Sequence, residues 1–204
     1  MPSTVFILNM PSFFDIIFAM KKFVLLSCFI SLTLPQVVHA NVMFGDNTRN
    51  SIELHIAQGT GPGTLFKLIQ PGLWDIRPMT LVMAQYSQPM EIMRLPARMN
   101  VNFVQNFGYH SSQGLSFFAA GVSWDVALLQ WCGWYLGGGI GPYMRDSRDR
   151  YVSSRLVFGE KVFIGKTITN NWRGEIFTLH FSNGDFTEVN RGFNYVGLGI
   201  NYSF

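Results

Sequence analysis

Leu179-His-Phe-Ser-Asn-Gly-Asp-Phe-Thr-Glu-Val-Asn-Arg-Gly-Phe-Asn-Tyr-Val-Gly-Leu-Gly-Ile-Asn-Tyr-Ser-Phe204 is the stretch whose reading decides the rest. From Val196 it alternates: Val196, Leu198, Ile200, Tyr202 and Phe204 are apolar, and Gly197, Gly199, Asn201 and Ser203 between them are small or polar. A period of two places the apolar side chains together on one face of a strand. The upstream half carries chemistry instead. His180 and Ser182 are two residues apart, so a strand presents both on one face, where an imidazole can act as base to a hydroxyl nucleophile.

An apolar face that runs to a final Phe resembles the closing strand of bacterial outer-membrane barrels. The residues before it resemble the lipid A 3-O-deacylase (PagL) family of outer-membrane barrel esterases, which carries His-x-Ser-Asn and then Asn-x-Gly-x-Glu. This chain reads His180-Phe-Ser182-Asn183, then Asn190-Arg-Gly192-Phe-Asn194, so five of the six motif positions match and the family's Glu is Asn194. The resemblance extends to Tyr135-Leu-Gly-Gly-Gly-Ile-Gly-Pro-Tyr143 and Ser153-Ser-Arg-Leu-Val-Phe-Gly-Glu160. It implies an all-β fold, an eight-stranded antiparallel transmembrane barrel of the outer-membrane type. It also implies an esterase acting on the 3-O-linked acyl chain of lipid A, with no cofactor and no metal.

Residues 1–40 read as an address. Met20-Lys-Lys22 opens a positive region, Phe23 to Leu34 is apolar, and Val38-His-Ala40 fits a cleavage site. The expected start is Met20, with cleavage after Ala40 and a single barrel domain over 41–204. The rival, a lipoprotein box at Leu25-Leu-Ser-Cys28, leaves too short an apolar run after the lysines.

Taking Lys21, Lys22 and Asp15 out of 15 basic and 12 acidic residues leaves 13 against 11. So small an excess does not point to nucleic acid. Cys132 is then the one cysteine, which excludes a disulfide framework and a cysteine metal site. The 19 Phe, 7 Tyr and 5 Trp, with 20 Gly, favour strands that face lipid.

Alternation predicts strands over Asn50–Gln58, Met79–Gln88 and Arg98–Gly108, with a loop over Gly59–Pro71 and a connection through Pro89 to Pro96. In the third strand Asn100, Asn102 and Asn106 form a polar line opposite Val101, Phe103 and Phe107, which suits a barrel lumen. Leu115 to Tyr143 is apolar enough to suggest membrane helices. Gly137-Gly-Gly139 and Asp125 argue against that, since three successive glycines penalise a helix interior. The cluster Ser123, Trp124, Trp131 and Trp134 argues against helices too, and two strands meeting near Leu128 to Trp131, with these tryptophans at an interface belt, fit better. Val152–Ile168, Arg173–Ser182 and Asn194–Phe204 complete eight strands, with a turn at Thr169-Asn-Asn171.

An even strand count places both termini on the periplasmic side, and Asn183 to Phe193 becomes an outer loop with His180, Ser182 and Asn194 at its feet. If Phe204 faces lipid, so does Asn194. For the seventh strand two faces compete: Thr178, His180 and Ser182 on one, Phe177, Leu179 and Phe181 on the other. Apolarity alone would turn the second outward, and the choice stays open here.

The resemblance implies Ser182 as nucleophile, His180 as base and Asn194 in the place of the orienting Glu. Asp185 and Glu188 in the loop are the candidate substitutes for the missing carboxylate. Asn183, Asn190 and Gly192 match the family residues around the oxyanion and substrate. Arg145, Arg148 and Arg150 lie in the one dense charge cluster, which is either a solvated loop tip or a contact to lipid A phosphates. His55 and His110 have no ligand-like neighbours in the sequence and are expected to be ordinary barrel residues. The expected partners are lipopolysaccharide and outer-membrane lipids, and a homodimer is left open. Alongside the esterase stands a second class, a catalytically weak or inactive structural or binding barrel of the same descent.

Overall fold

Alternation of apolar and polar side chains runs through eight strands, and in the computed structural model these pair in chain order into a closed antiparallel barrel. The structure describes residues 49–64, 67, 70–77, 79–108 and 116–204. Residues 1–40, expected to be a leader, and His110 lie outside the described residues. The strands are β1 (Ser51–Gly61), β2 (Met79–Ile92), β3 (Leu95–Gly108), β4 (Phe117–Trp131), β5 (Trp134–Arg145), β6 (Leu156–Thr167), β7 (Trp172–Ser182) and β8 (Phe193–Ser203). β1 pairs with β8 as well as with β2, so no edge is left to pair with another chain.

The connections divide by end. Tight turns at 93–94, 132–133 and 168–171 alternate with longer connections at 62–78, 109–116, 146–155 and 183–192. Met93 and Arg94 both have positive φ, as do Cys132 and Gly133, the backbone of two-residue hairpins that follow the strand twist. Trp131, Trp134 and Trp172 stand partly exposed at this turn end, where Trp172 meets Tyr202 with ring centroids 4.9 Å apart. These rings make an aromatic girdle at that end, whereas Trp124, expected to join Trp131 and Trp134 there, sits mid-strand opposite Ile140 because seven residues separate it from the turn side of its strand.

Several boundaries differ from those read in the sequence. β2 and β3 run through Pro89 and Pro96 as one long hairpin. The prolines are tolerated because β1 pairs β2 only as far as Ser87 and β4 pairs β3 only from Ala97, so neither missing N–H interrupts a second ladder. β4 and β5 turn at Cys132-Gly133, just past the expected point. β6 begins at Leu156, and Val152 makes a lone bridge to Asn190 instead. The described part of Leu115 to Tyr143 forms β4 and most of β5, joined by the Cys132-Gly133 turn, and no helix. Gly137 and Gly139 lie where an added Cβ would run into Phe163 and Asp125 inside the barrel.

The outward wall is apolar: Ile52, Leu54, Ile56, Phe103, Phe107, Ile140, Ile176, Leu198 and Ile200 are all exposed. The interior is in two parts. Toward the turn end it is ionic, and Arg98 donates to Glu53 at 2.7 Å, Asp125 at 3.0 Å and Glu175 at 2.9 Å. Lys161 reaches Asp125 at 2.6 Å, and Arg173 donates to Asn201. The buried line Asn100, Asn102 and Asn106 belongs to this filled lumen. Toward the loop end the interior is aromatic, with Tyr143 and Phe181 edge to face at 5.1 Å and Phe117 against both Phe181 and Phe193.

His55 is not isolated, as its sequence surroundings suggested. Its Nε2 lies 3.1 Å from Glu53, and Glu53, His55 and Glu175 offer metal-type donor atoms within 4.8 Å of one another. Strand pairing, invisible in the sequence, brings them together. Arg98 already donates to both carboxylates, so a guanidinium occupies the place a cation would take.

Candidate active site on the outer wall

The two-part interior explains how β7 is oriented. Near the loop end the lumen is filled by rings, so the inward face of β7 is the apolar one: Phe177, Leu179 and Phe181 are buried. Thr178, His180 and Ser182 therefore point outward, toward the surface that lipid would cover. The same parity on β8 turns Phe193 and Tyr195 in and Asn194 out. Phe181 and Phe193 are register partners, and both rings pack on Phe117 inside the barrel, behind the outward-facing polar group.

His180 and Asn194 stand directly opposite each other in the β7–β8 ladder. His180 Nδ1 lies 2.6 Å from Asn194 Oδ1. Asn194 Nδ2 donates to the Thr64 carbonyl at 3.5 Å, which turns Oδ1 toward the imidazole. An amide oxygen only accepts, so Nδ1 carries the hydrogen, which in the neutral ring leaves the lone pair on Nε2. A neutral imidazole with a free Nε2 is the form a general base needs. Ser182 follows two residues later on the same face.

Although it faces outward, this row is covered: His180 is 5%, Ser182 8% and Asn194 0% exposed. Over Asn194 the cover is the end of β1 and the segment Pro62 to Thr64 that follows it. Gly61 pairs with Asn194 past a bulge, and Gly63 N–H donates to the Arg191 carbonyl at 2.9 Å. Gly192 has φ +63°, a conformation that favours glycine, and its missing side chain leaves room for the imidazole, with Nε2 only 3.1 Å from where a Cβ would stand. Gly61, Gly63 and Thr64 did not emerge from the sequence as site residues. The run Gly59-Thr-Gly-Pro-Gly63 was the available signal, since glycines often mark close backbone approach.

The loop after Ser182 is tied to itself. Asn183 N–H donates to Asn190 Oδ1 at 2.9 Å, and Asn190 Nδ2 donates to Asp185 at 2.8 Å. The Asn183 side chain donates to Thr187 and to the Val189 carbonyl and accepts from the Asp185 N–H. Both asparagines thus shape the turn that follows the serine. Asp185 is engaged by Asn190 and exposed, and Glu188 is exposed too.

Of the three loop arginines, Arg145 turns inward. It is buried, pairs with Asp149 and lies over the Phe117 ring at 4.2 Å. Arg148 and Arg150 are exposed at the loop end.

A family model described as lipid A 3-O-deacylase (PagL) matches residues 84–203, more than half of the chain. The crystal structure of the outer membrane enzyme PagL is similar with a TM-score of 0.51 at 13% identity, covering 74% of this chain and 99% of that one. The crystal structure of Neisserial surface protein A (NspA) is similar with a TM-score of 0.51 at 13% identity, covering 76% of this chain and 97% of that chain. At such identities these two likenesses speak for the fold alone. No curated protein matches the chain.

Proposed function

The chain belongs to the lipid A 3-O-deacylase (PagL) family, and from that premise we propose that it is an outer-membrane esterase that removes the acyl chain ester-linked at position 3 of lipid A. One observation carries the reading. His180 and Asn194 pair on the outward face at the loop end of the wall, with Ser182 two residues further along the same face of β7, the side on which lipid of the adjoining leaflet lies.

In this reading Ser182 Oγ attacks the ester carbonyl while His180 Nε2 takes its proton. The tetrahedral intermediate collapses, His180 returns the proton to the departing sugar hydroxyl, and the acyl group stays on Ser182. Water, deprotonated by His180, then releases the fatty acid. Asn194 holds the imidazole in the Nδ1–H tautomer, as the Asn of papain-type triads does. Asn183, Asn190 and Gly192 set the shape of the turn that receives the oxyanion, where one donor is worth about 10²–10³ in rate. Arg148 and Arg150 take the lipid A phosphates; Arg145, committed to Asp149, leaves that role to them. Residues 1–40 serve export, with cleavage after Ala40, and the chemistry calls for no cofactor.

The neutral Asn194 favours one second reading, a barrel that keeps the family's shape without turnover. Mass spectrometry of lipid A from cells with and without the protein separates the two. Loss of one ester-linked acyl chain supports the esterase, and an unchanged lipid A supports the inert barrel.

A further inference from the structure

Among the outward-facing residues of β4 to β8, Glu160 is the one carboxylate. Its neighbours on β6, Phe158 and Val162, are apolar, and so is Ile140, its register partner on β5. Gly159 and Lys161 on either side point into the lumen, which fixes Glu160 outward. A carboxylate on a lipid-facing wall is unfavourable, so its position calls for a complement. Among the described residues it has no hydrogen bond or ion pair. Its register partner on the other side is His180.

We propose that Glu160 is a positioning residue that acts through His180, supplying across the β6–β7 ladder the negative charge that Asn194 lacks. The inference rests on the esterase reading. Directly opposed residues of an antiparallel pair place their Cβ atoms about 4.5–5.5 Å apart. The row across three strands is then Glu160, His180, Asn194, in which the amide sets the tautomer and the carboxylate stabilises the imidazolium that forms in the transition state. In the family pattern one Glu does both. Other charges around His180 are poorly placed for the task. Lys67 donates to the Pro62 carbonyl, Asp185 is held by Asn190, and Glu188 and Arg191 are exposed. At about 6 Å and an effective dielectric of about 20, a unit charge changes a rate about 100-fold.

The test compares wild type, Ser182→Ala, Glu160→Gln, Asn194→Glu and the Glu160→Gln/Asn194→Glu double variant as full chains in detergent, with purified lipid A as substrate. Expected are a fall in kcat of about 100-fold for Glu160→Gln with KM unchanged, little gain or a loss for Asn194→Glu, and recovery toward wild type in the double variant. Glu160→Leu serves as the folding control, because it removes a charge from the lipid face. It should resist heat at least as well as wild type and still turn over slowly. A Glu160→Gln enzyme with wild-type kcat, a defect confined to KM, or a double variant without recovery overturns the inference while leaving the esterase standing. A wild type no faster than Ser182→Ala overturns both.

Discussion

His180 and Asn194 face each other across the β7–β8 ladder with 2.6 Å between Nδ1 and Oδ1, on the outside of the barrel rather than in its lumen. The pairing is a property of the hairpin's register. A one-residue slip would carry one partner inside, so the 183–192 loop and the inward ring pair Phe181 and Phe193 are what keep the site assembled.

Ser182→Ala and His180→Ala should each reduce acyl release to background. Neither removes buried apolar volume on the scale that unfolds a core. Heat-modifiable gel mobility should therefore match wild type in both, and a loss of that behaviour would mean the residues hold the fold instead.

Asn194→Ala removes the acceptor that fixes the imidazole tautomer. Misplacing the tautomer in a protease triad costs about 10⁴ in rate, so a loss of 10²-fold or more is expected. Asp185→Asn and Glu188→Gln should leave turnover within about twofold, since neither carboxylate is directed at His180. Steady-state deacylation rates for the three variants check this together. A crippled Asp185→Asn or Glu188→Gln enzyme would show that the loop rearranges to bring a carboxylate to the imidazole.

Gly192→Ala is expected to act on the site more than on the barrel. The residue has positive φ, and the new Cβ would press on the imidazole. A displacement of about 1 Å can lower a rate about 10²-fold. The measurement is kcat together with the thermal transition: kcat should fall about 10²-fold, while the transition drops only by the small cost of an alanine at positive φ.

Arg98→Ala removes the guanidinium that Glu53, Asp125 and Glu175 share, leaving Asp125 with Lys161, Glu53 with His55 and Glu175 with the Tyr135 hydroxyl. Removing one member of a buried ion network costs about 3–5 kcal/mol. The unfolding temperature should drop clearly, while deacylation below the transition stays near wild type, because the ionic half of the lumen lies away from the outer-wall row.

Much of this barrel could be read from alternation alone. Asn100, Asn102 and Asn106 opposite Val101, Phe103 and Phe107 gave the lumen and lipid faces of β3 correctly, because there the interior is polar and the simple rule holds. On β7 the rule points the wrong way. The interior near Phe181 is aromatic, so the inward face is the greasier one and the outward face carries His180 and Ser182. The cover by Gly61, Gly63 and Thr64 was not legible either. It depends on a bulge and a loop path, which local composition does not encode. Glu160 opposite His180 needed the β6–β7 register, and that is set by a turn of four residues together with packing on both sides.

The most direct test of the central claim is release of fatty acid from purified lipid A by the purified full-length protein, followed by mass spectrometry for wild type and Ser182→Ala side by side. The account predicts that wild type yields free fatty acid and a lipid A lacking its 3-O-linked chain, and that Ser182→Ala yields neither. A wild type that leaves lipid A intact, or a Ser182→Ala protein that works as fast, would contradict it.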